Sequence, residues 1–161
     1  MIKKVRLFIS LYSIILSFIG AIYYIKILLF KFDAISYYEL ILFYTVACMY
    51  SLLIITNFSL IINKSYLTFS LKYSMFFYST QILDFTLFNL SYEFSCGIRT
   101  AIYFVLYDGY SIEFNMGIIK NTFRIVYPAI SNGIFLGINF IPVLLICLYL
   151  YIYMKSKKSV H

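Results

Sequence analysis

Histidine, closely spaced cysteines and charged side chains are scarce in this sequence, and each shortage excludes a class of function. The one histidine, His161, is the last residue, which leaves no basis for a histidine metal site or a Ser-His-Asp triad. Cys48, Cys96 and Cys147 lack CxxC or CxxH spacing, so a zinc or thioredoxin-like site has no support. Phosphate-loop and HExxH motifs are also absent. The sequence therefore predicts no metal, no cofactor and no enzymatic activity.

Charge is scarce because the chain is very apolar. Of the 161 residues, 12% are charged and 63% are hydrophobic, and the mean hydropathy is +0.92. A soluble domain has about 45–50% apolar and about 25% charged residues. The 13 Lys and Arg exceed the 6 Asp and Glu, but the basic residues cluster beside apolar runs. This pattern indicates orientation in a bilayer and no nucleic-acid partner.

Four apolar runs approach or exceed the length of about 20 helical residues that a membrane span requires. They cover residues 7–30, 38–62, 73–90 and 133–154. The sequence therefore predicts an all-α integral membrane protein of one domain with four transmembrane helices. Between the third and fourth spans, residues 91–132 form an outer β-rich segment.

The third run is the least apolar, because it contains Gln81, Asp84 and Asn89. An extended strand outside the membrane is the alternative for this run, but the charge distribution favours a helix. With four spans, one side of the membrane has eight basic residues and no acid, which is typical of a cytoplasmic side, and the other side is balanced. Both termini are therefore predicted to be cytoplasmic. The eight basic residues are Lys3, Lys4, Arg6, Lys64, Lys72, Lys155, Lys157 and Lys158.

The fourth run contains a proline and two spaced glycines. Pro142 predicts a kink within the span, which membrane helices tolerate. Gly133 and Gly137 form a small-xxx-small pair, and this pair is either chance or a helix-packing motif. The sequence from Gly133 to Pro142 resembles, in style, that of small multi-span bacterial membrane proteins, and the resemblance implies no activity.

The outer segment shows strand periodicity. Apolar and polar residues alternate over 110–119, and Asp108-Gly109 just before them is a strong hairpin-turn signal. Residues 101–107 supply the preceding strand, and a second turn at Lys120-Asn121 would lead to a third strand over 122–127. This predicts a β-hairpin or three-stranded meander whose apolar face rests on the helices or the lipid headgroups. An interfacial helix over 116–130 is the alternative for the later half.

Two candidate functional sites follow. The first is an intramembrane polar site formed by Asn57, Gln81 and Asp84, because an acid within a span is a functional candidate by default. Asp84 would act there either in a proton or cation relay or as a hydrogen-bonding group between helices. The second site is an outer interaction surface on the predicted hairpin. It comprises Asp108, Gly109, Ile112, Glu113 and Phe114.

The predicted function is protein–protein interaction without catalysis. The chain would serve as an accessory subunit of a membrane complex or as an immunity-type protein, in the bacterial cytoplasmic membrane. The alternative is a small transporter or channel subunit with Asp84 on the pathway. The expected partners are membrane lipid and either another membrane protein or a second copy of the chain.

Overall fold

In the computed structural model, residues 2–31, 36–62, 67–87, 90–106, 110–126 and 133–158 are described. The chain divides into two compact units. The helical unit comprises Met1–Phe77 and Cys147–His161, and the sheet unit comprises Tyr78–Ile146. The elements in chain order are α1 (Ile2–Lys31), α2 (Tyr37–Ile62), α3 (Leu67–Ser79), β1 (Leu83–Leu87), β2 (Leu90–Leu106), β3 (Tyr110–Val126), β4 (Ile134–Asn139) and α4 (Phe140–Lys158).

The expected all-α fold with four transmembrane helices is wrong, because the chain contains a four-stranded antiparallel sheet beside its helices. Among the described residues, three helices are long and apolar enough to cross a membrane: α1 over Ile2–Ile27, α2 over Tyr37–Ile62 and α4 over Phe140–Lys157. Helix α3 has 13 residues and extends about 20 Å, short of the roughly 30 Å hydrocarbon core.

The predicted third span, over 73–90, is therefore part of α3 followed by β1. Helix α3 ends at Ser79, and the backbone N–H groups of Gln81 and Ile82 donate to the carbonyls of Tyr78 and Ser79 in the turn. The next residues, Leu-Asp-Phe-Thr-Leu, alternate apolar and polar with a period of two, which is the strand pattern. The extended alternative is therefore correct for residues 83–87 and wrong for residues 73–79, which belong to α3.

The predicted fourth span, over 133–154, begins with a strand. Strand β4 ends at Asn139, and Asn139 is also the N-cap of α4, because its Oδ1 accepts the Ile141 N–H at 3.3 Å. Pro142 then lies in the first helical turn, where backbone N–H groups lack intrahelical partners, so the expected mid-span kink is wrong. Gly137 lies in β4 and thus belongs to no helix-packing motif.

The sheet has the strand order β1-β4-β2-β3, with an additional pairing between β1 and β2. Strands β1, β2 and β4 therefore each pair with the other two. For example, Phe85 is opposite Tyr92 of β2 and also opposite Leu136 of β4. Strand β2 bends to allow this closure: Gly97 has a φ of 95°, and the register with β3 shifts between Gly97 and Arg99.

Strands β2 and β3 form a long antiparallel hairpin, from Ser91 opposite Val126 to Leu106 opposite Tyr110. The pairing of 101–106 with 110–115 matches the predicted hairpin. The predicted three-stranded meander is wrong, because β3 runs without interruption through Lys120-Asn121, where a second turn was expected. The interfacial helix over 116–130 is also wrong as far as Val126. Asp108-Gly109 and Pro128 lie outside the described residues.

In the helical unit, the first three helices alternate in direction. Tyr24 of α1 contacts Phe43 of α2, and Gly20 lies against the Tyr50 ring, where an added Cβ would be 2.7 Å from the ring. Tyr50 in turn contacts Phe77 of α3, with 5.8 Å between ring centroids. A capping box starts α2: the Ser36 N–H donates to Glu39 Oε2 at 2.9 Å, and the Glu39 N–H donates to Ser36 Oγ at 3.3 Å.

Candidate functional site

The residues of the predicted intramembrane polar site belong to two different compact units. Asn57 belongs to the helical unit, whereas Gln81 and Asp84 belong to the sheet unit. Asp84 lies in β1 and Gln81 in the turn before it, so neither residue is on a membrane-spanning helix. The expectation that Gln81 and Asp84 lie within a membrane span is therefore wrong.

Asn57 is a hydrogen-bonding group between helices. Its Nδ2 donates to Ser74 Oγ of α3 at 3.0 Å, and its Oδ1 accepts the hydroxyl of Tyr149 of α4 at 2.7 Å. The Tyr149 hydroxyl also lies 2.8 Å from Ser13 Oγ of α1. One buried network thus joins all four helices, and such bonds hold helices together in an apolar medium.

Gln81 and Asp84 act together on the backbone of β2. The Phe94 N–H donates to Asp84 Oδ1 at 3.3 Å, and the Cys96 N–H donates to Gln81 Oε1 at 2.9 Å. The register of β1 with β2 covers only Phe85 to Leu87. The two side chains therefore satisfy backbone donors of β2 where β1 no longer pairs with it, and buried donors need such partners.

Arg99 is the charged centre of the sheet unit. Its residue exposure is 1%, and its guanidinium donates to the carboxylates of Asp84 in β1 and Glu93 in β2. The guanidinium carbon also lies 5.2 Å from the centre of the Tyr103 ring. The sequence analysis identified Asp84 of this cluster but missed Arg99, because the two residues are 15 positions apart in the chain.

One row of residues crosses all four strands and explains the position of Asp84. Asp84 is opposite Gly137, Gly137 is opposite Tyr103, and Tyr103 is opposite Glu113. A Cβ at residue 137 would overlap the Tyr103 ring, so glycine is required there. The ring crosses β4 above Gly137, and its hydroxyl donates to Asp84 Oδ2 at 3.3 Å.

A cavity of about 440 Å³ opens on this polar side of the sheet. Its charged lining consists of Asp84, Glu93, Glu113 and Arg99. Three carboxylates against one guanidinium favour a positively charged guest over a negatively charged one. Burial, followed by the charge of Asp84, raises the pKa of Tyr92 in the cavity wall to about 12. The described part of the chain contains no group of three metal-ligating side chains.

The predicted outer surface divides between the two faces of the sheet. Ile112 and Phe114 are 59% and 70% exposed on one face, whereas Glu113 lines the cavity on the other. Asp108 and Gly109 lie outside the described residues. Five apolar residues of β3 share the exposed face: Tyr110, Ile112, Phe114, Met116 and Ile118.

Strand β3 is also an edge strand. Among the described strands it pairs only with β2, at one end of the order β1-β4-β2-β3. Its 17 residues are longer than the five to six of a typical strand. The outward-directed half of its backbone N–H and C=O groups has no strand partner within the described part of the sheet.

No protein-family model matches the chain, and no curated protein or solved structure is significantly similar to it.

Proposed function

We propose that this chain is a membrane protein without catalytic activity that binds another membrane protein along β3. The observation that carries the proposal is the free edge of this 17-residue strand, beside an exposed apolar face. Proteins blunt such edges with charged side chains, proline or short strands. From Tyr110 to Ile118, the only charged residue is Glu113, and it is on the cavity side.

Strand addition is the recognition mode that suits this edge. In strand addition, an extended segment of the partner pairs with the free backbone groups, and alternate side chains give specificity. An accessory subunit or an immunity-type protein can bind its partner in this way. The transporter alternative has less support, because Asp84 lies in a strand and is held by Arg99.

We further propose that both termini are cytoplasmic, in a bacterial cytoplasmic membrane. The alternating directions of α1, α2 and α3 support this, since Ile2, Ile62 and Leu67 then lie at one end of the helical unit. The basic residues Lys3, Lys4 and Arg6 are at that end, as on cytoplasmic sides. The basic C-terminal end of α4 then lies on the same side of the membrane.

The test is photo-crosslinking in cells, with p-benzoylphenylalanine replacing one phenylalanine at a time. Phe114 of β3 is the test position, and Phe69 of α3 is the control, since their exposures are similar at 70% and 61%. We expect one discrete adduct from position 114 and none from position 69. An adduct of twice the 19.0 kDa chain mass would identify a second copy as the partner. No adduct at position 114, or equal adducts at both positions, would contradict the proposal.

A pair of proline variants tests whether the edge itself is bound. Successive residues of an antiparallel strand direct their N–H groups to opposite sides, so only one of Asn115→Pro and Met116→Pro removes an N–H directed toward β2. The other removes an outward N–H, and we expect it to abolish the adduct while the β2 amides stay protected from hydrogen exchange. If the adduct persists whenever the sheet stays protected, the partner does not pair with this edge.

A further inference from the structure

Polar and apolar residues of the sheet unit are arranged in the reverse of a water-soluble sheet. Two rows of apolar side chains cross the four described strands on the face opposite Asp84, Tyr103 and Glu113, and one member, Phe85, also borders the cavity. We call these rows the apolar face. The first is Ile112, Phe104, Leu136 and Phe85, and the second is Phe114, Ile102, Ile138 and Leu83.

No residue of the apolar face is buried. Leu83, Leu136, Ile112 and Phe114 are 46%, 36%, 59% and 70% exposed, and the other four are partly exposed. Meanwhile Arg99 and Asp84, on the other face, are 1% and 2% exposed. A sheet in water buries its apolar face and exposes its polar face. Outward apolar residues around a polar interior are instead typical of a sheet in contact with lipid.

We infer that the apolar face lies against the acyl chains of the bilayer. The assignment of lipid to this face rests on chain continuity within the sheet unit. This unit includes Phe140–Ile146, the first two turns of α4, and Phe140 begins the apolar stretch that is able to cross a membrane. Asn139 ends β4 and caps α4, so no linker separates the apolar face from the end of that span.

The composition of the apolar face agrees with contact with acyl chains. None of its eight residues is charged or polar, and a charge directed at hydrocarbon is strongly unfavourable. Open strand edges do not occur in contact with the hydrocarbon core. The face therefore sits at the boundary of the acyl chains, with the edge of β3 among the headgroups. This inference does not rest on the proposed partner.

The chain contains no tryptophan, so single-tryptophan variants give a signal from one position. Phe114→Trp and Leu83→Trp report on opposite ends of one row of the apolar face. Asn115→Trp is the matched control, because Asn115 follows Phe114 directly and lines the cavity on the other face. Each purified variant is reconstituted into vesicles of phosphatidylcholine, either with or without bromine on the acyl chains, and is titrated with iodide.

Tryptophan at 114 and 83 should lose most of its emission in brominated vesicles and resist iodide, whereas tryptophan at 115 should show the opposite. Quenching of position 114 by iodide would show that water covers the face and would overturn the inference. Resistance of 114 and 83 to both quenchers would show that protein covers the face, which also overturns it. Hydrogen exchange of the β2 amides verifies folding, and Glu113→Trp replaces the control if Asn115→Trp unfolds. Since only the purified chain is present, failure of the partner proposal does not affect this result.

Discussion

Replacing Arg99 by methionine should destabilise the sheet unit more than any other single change among its charged residues. The substitution leaves two carboxylates without their cation, and their side chains are only 3% exposed for Asp84 and 24% for Glu93. Breaking a buried ion pair by removing one partner costs about 3–5 kcal/mol. Because Glu93 is partly hydrated, Glu93→Gln should cost less, about 1 kcal/mol.

The double variant Asp84→Asn/Arg99→Met separates the charge effect from loss of packing. Asparagine keeps an oxygen that can accept the Phe94 N–H, and the double variant no longer contains the most deeply buried unpaired charge. Removing both partners of a buried pair is less costly than removing one. We therefore expect the double variant to be more stable than Arg99→Met alone, with a coupling energy of about 2 kcal/mol between the two sites.

Hydrogen exchange of β1 and β2 amides in lipid nanodiscs measures these differences, since it reports the free energy of opening each region. A loss of about 4 kcal/mol corresponds to roughly a 10³-fold increase in exchange. Amides of α1 and α2, in the other compact unit, provide the internal reference. If Arg99→Met leaves exchange in the sheet unchanged, or if the two substitutions are additive, Arg99 does not hold the sheet through charge.

Three further predictions follow from contacts in the two units. Gly137→Ala should destabilise the sheet by about 1–3 kcal/mol, because the added Cβ overlaps the Tyr103 ring; thermal unfolding measures this, and unchanged stability would contradict the observed packing. Tyr149→Phe should cost the helical unit about 1 kcal/mol, since the hydroxyl bonds Asn57 and contacts Ser13; SDS titration in mixed micelles checks this, and no loss would mean that the network is not stabilising. Burial raises the pKa of Tyr92 from 10.0 to about 12 in the folded protein. The stability that this shift contributes is therefore fully present below pH 10 and is lost as the pH rises through 12. Tyr92→Phe should lose less stability over this pH range than the parent chain, and equal losses would refute the assignment.

The two longest helices and the β2–β3 hairpin could be predicted from local patterns. Residues 7–30 and 38–62 are long apolar runs, and α1 and α2 contain them. Alternation over 110–119 predicted a strand, and β3 extends through it. These signals succeed because each depends only on composition and periodicity within one segment.

The errors arose where an apolar run contains two kinds of element. Residues 73–90 and 133–154 have the composition of a membrane span, yet part of each forms a strand of the sheet. The strands within them are only five and six residues long, too short to outweigh the hydropathy of the whole run. The positive-inside rule then favoured a helix for residues 73–90, because the rule depends only on how often the chain crosses the membrane. It does not recognise a short helix followed by a sheet.

The charged cluster could not be predicted, because it depends on pairing between distant segments. Asp84 and Gln81 were both assigned to the predicted third span, whereas they bind the β2 backbone from a strand and from the turn before it. Arg99 pairs with Asp84 from a position in β2 just after the bend at Gly97. The sequence therefore identified Asp84 as unusual but could not identify its partner.

The closure of β1, β2 and β4 constrains the order in which the chain folds during synthesis. Strands β2 and β3 are adjacent in sequence, so their hairpin can form as soon as Val126 has left the ribosome. Strand β1 must wait for β4, since Leu83 pairs with Ile138, 55 residues later. Long-range pairing of this kind is slow, and until it occurs β1 has one side unpaired. The nascent sheet therefore passes through an aggregation-prone stage that ends only when β4 has left the ribosome and paired with β1, and chaperones have this interval in which to act.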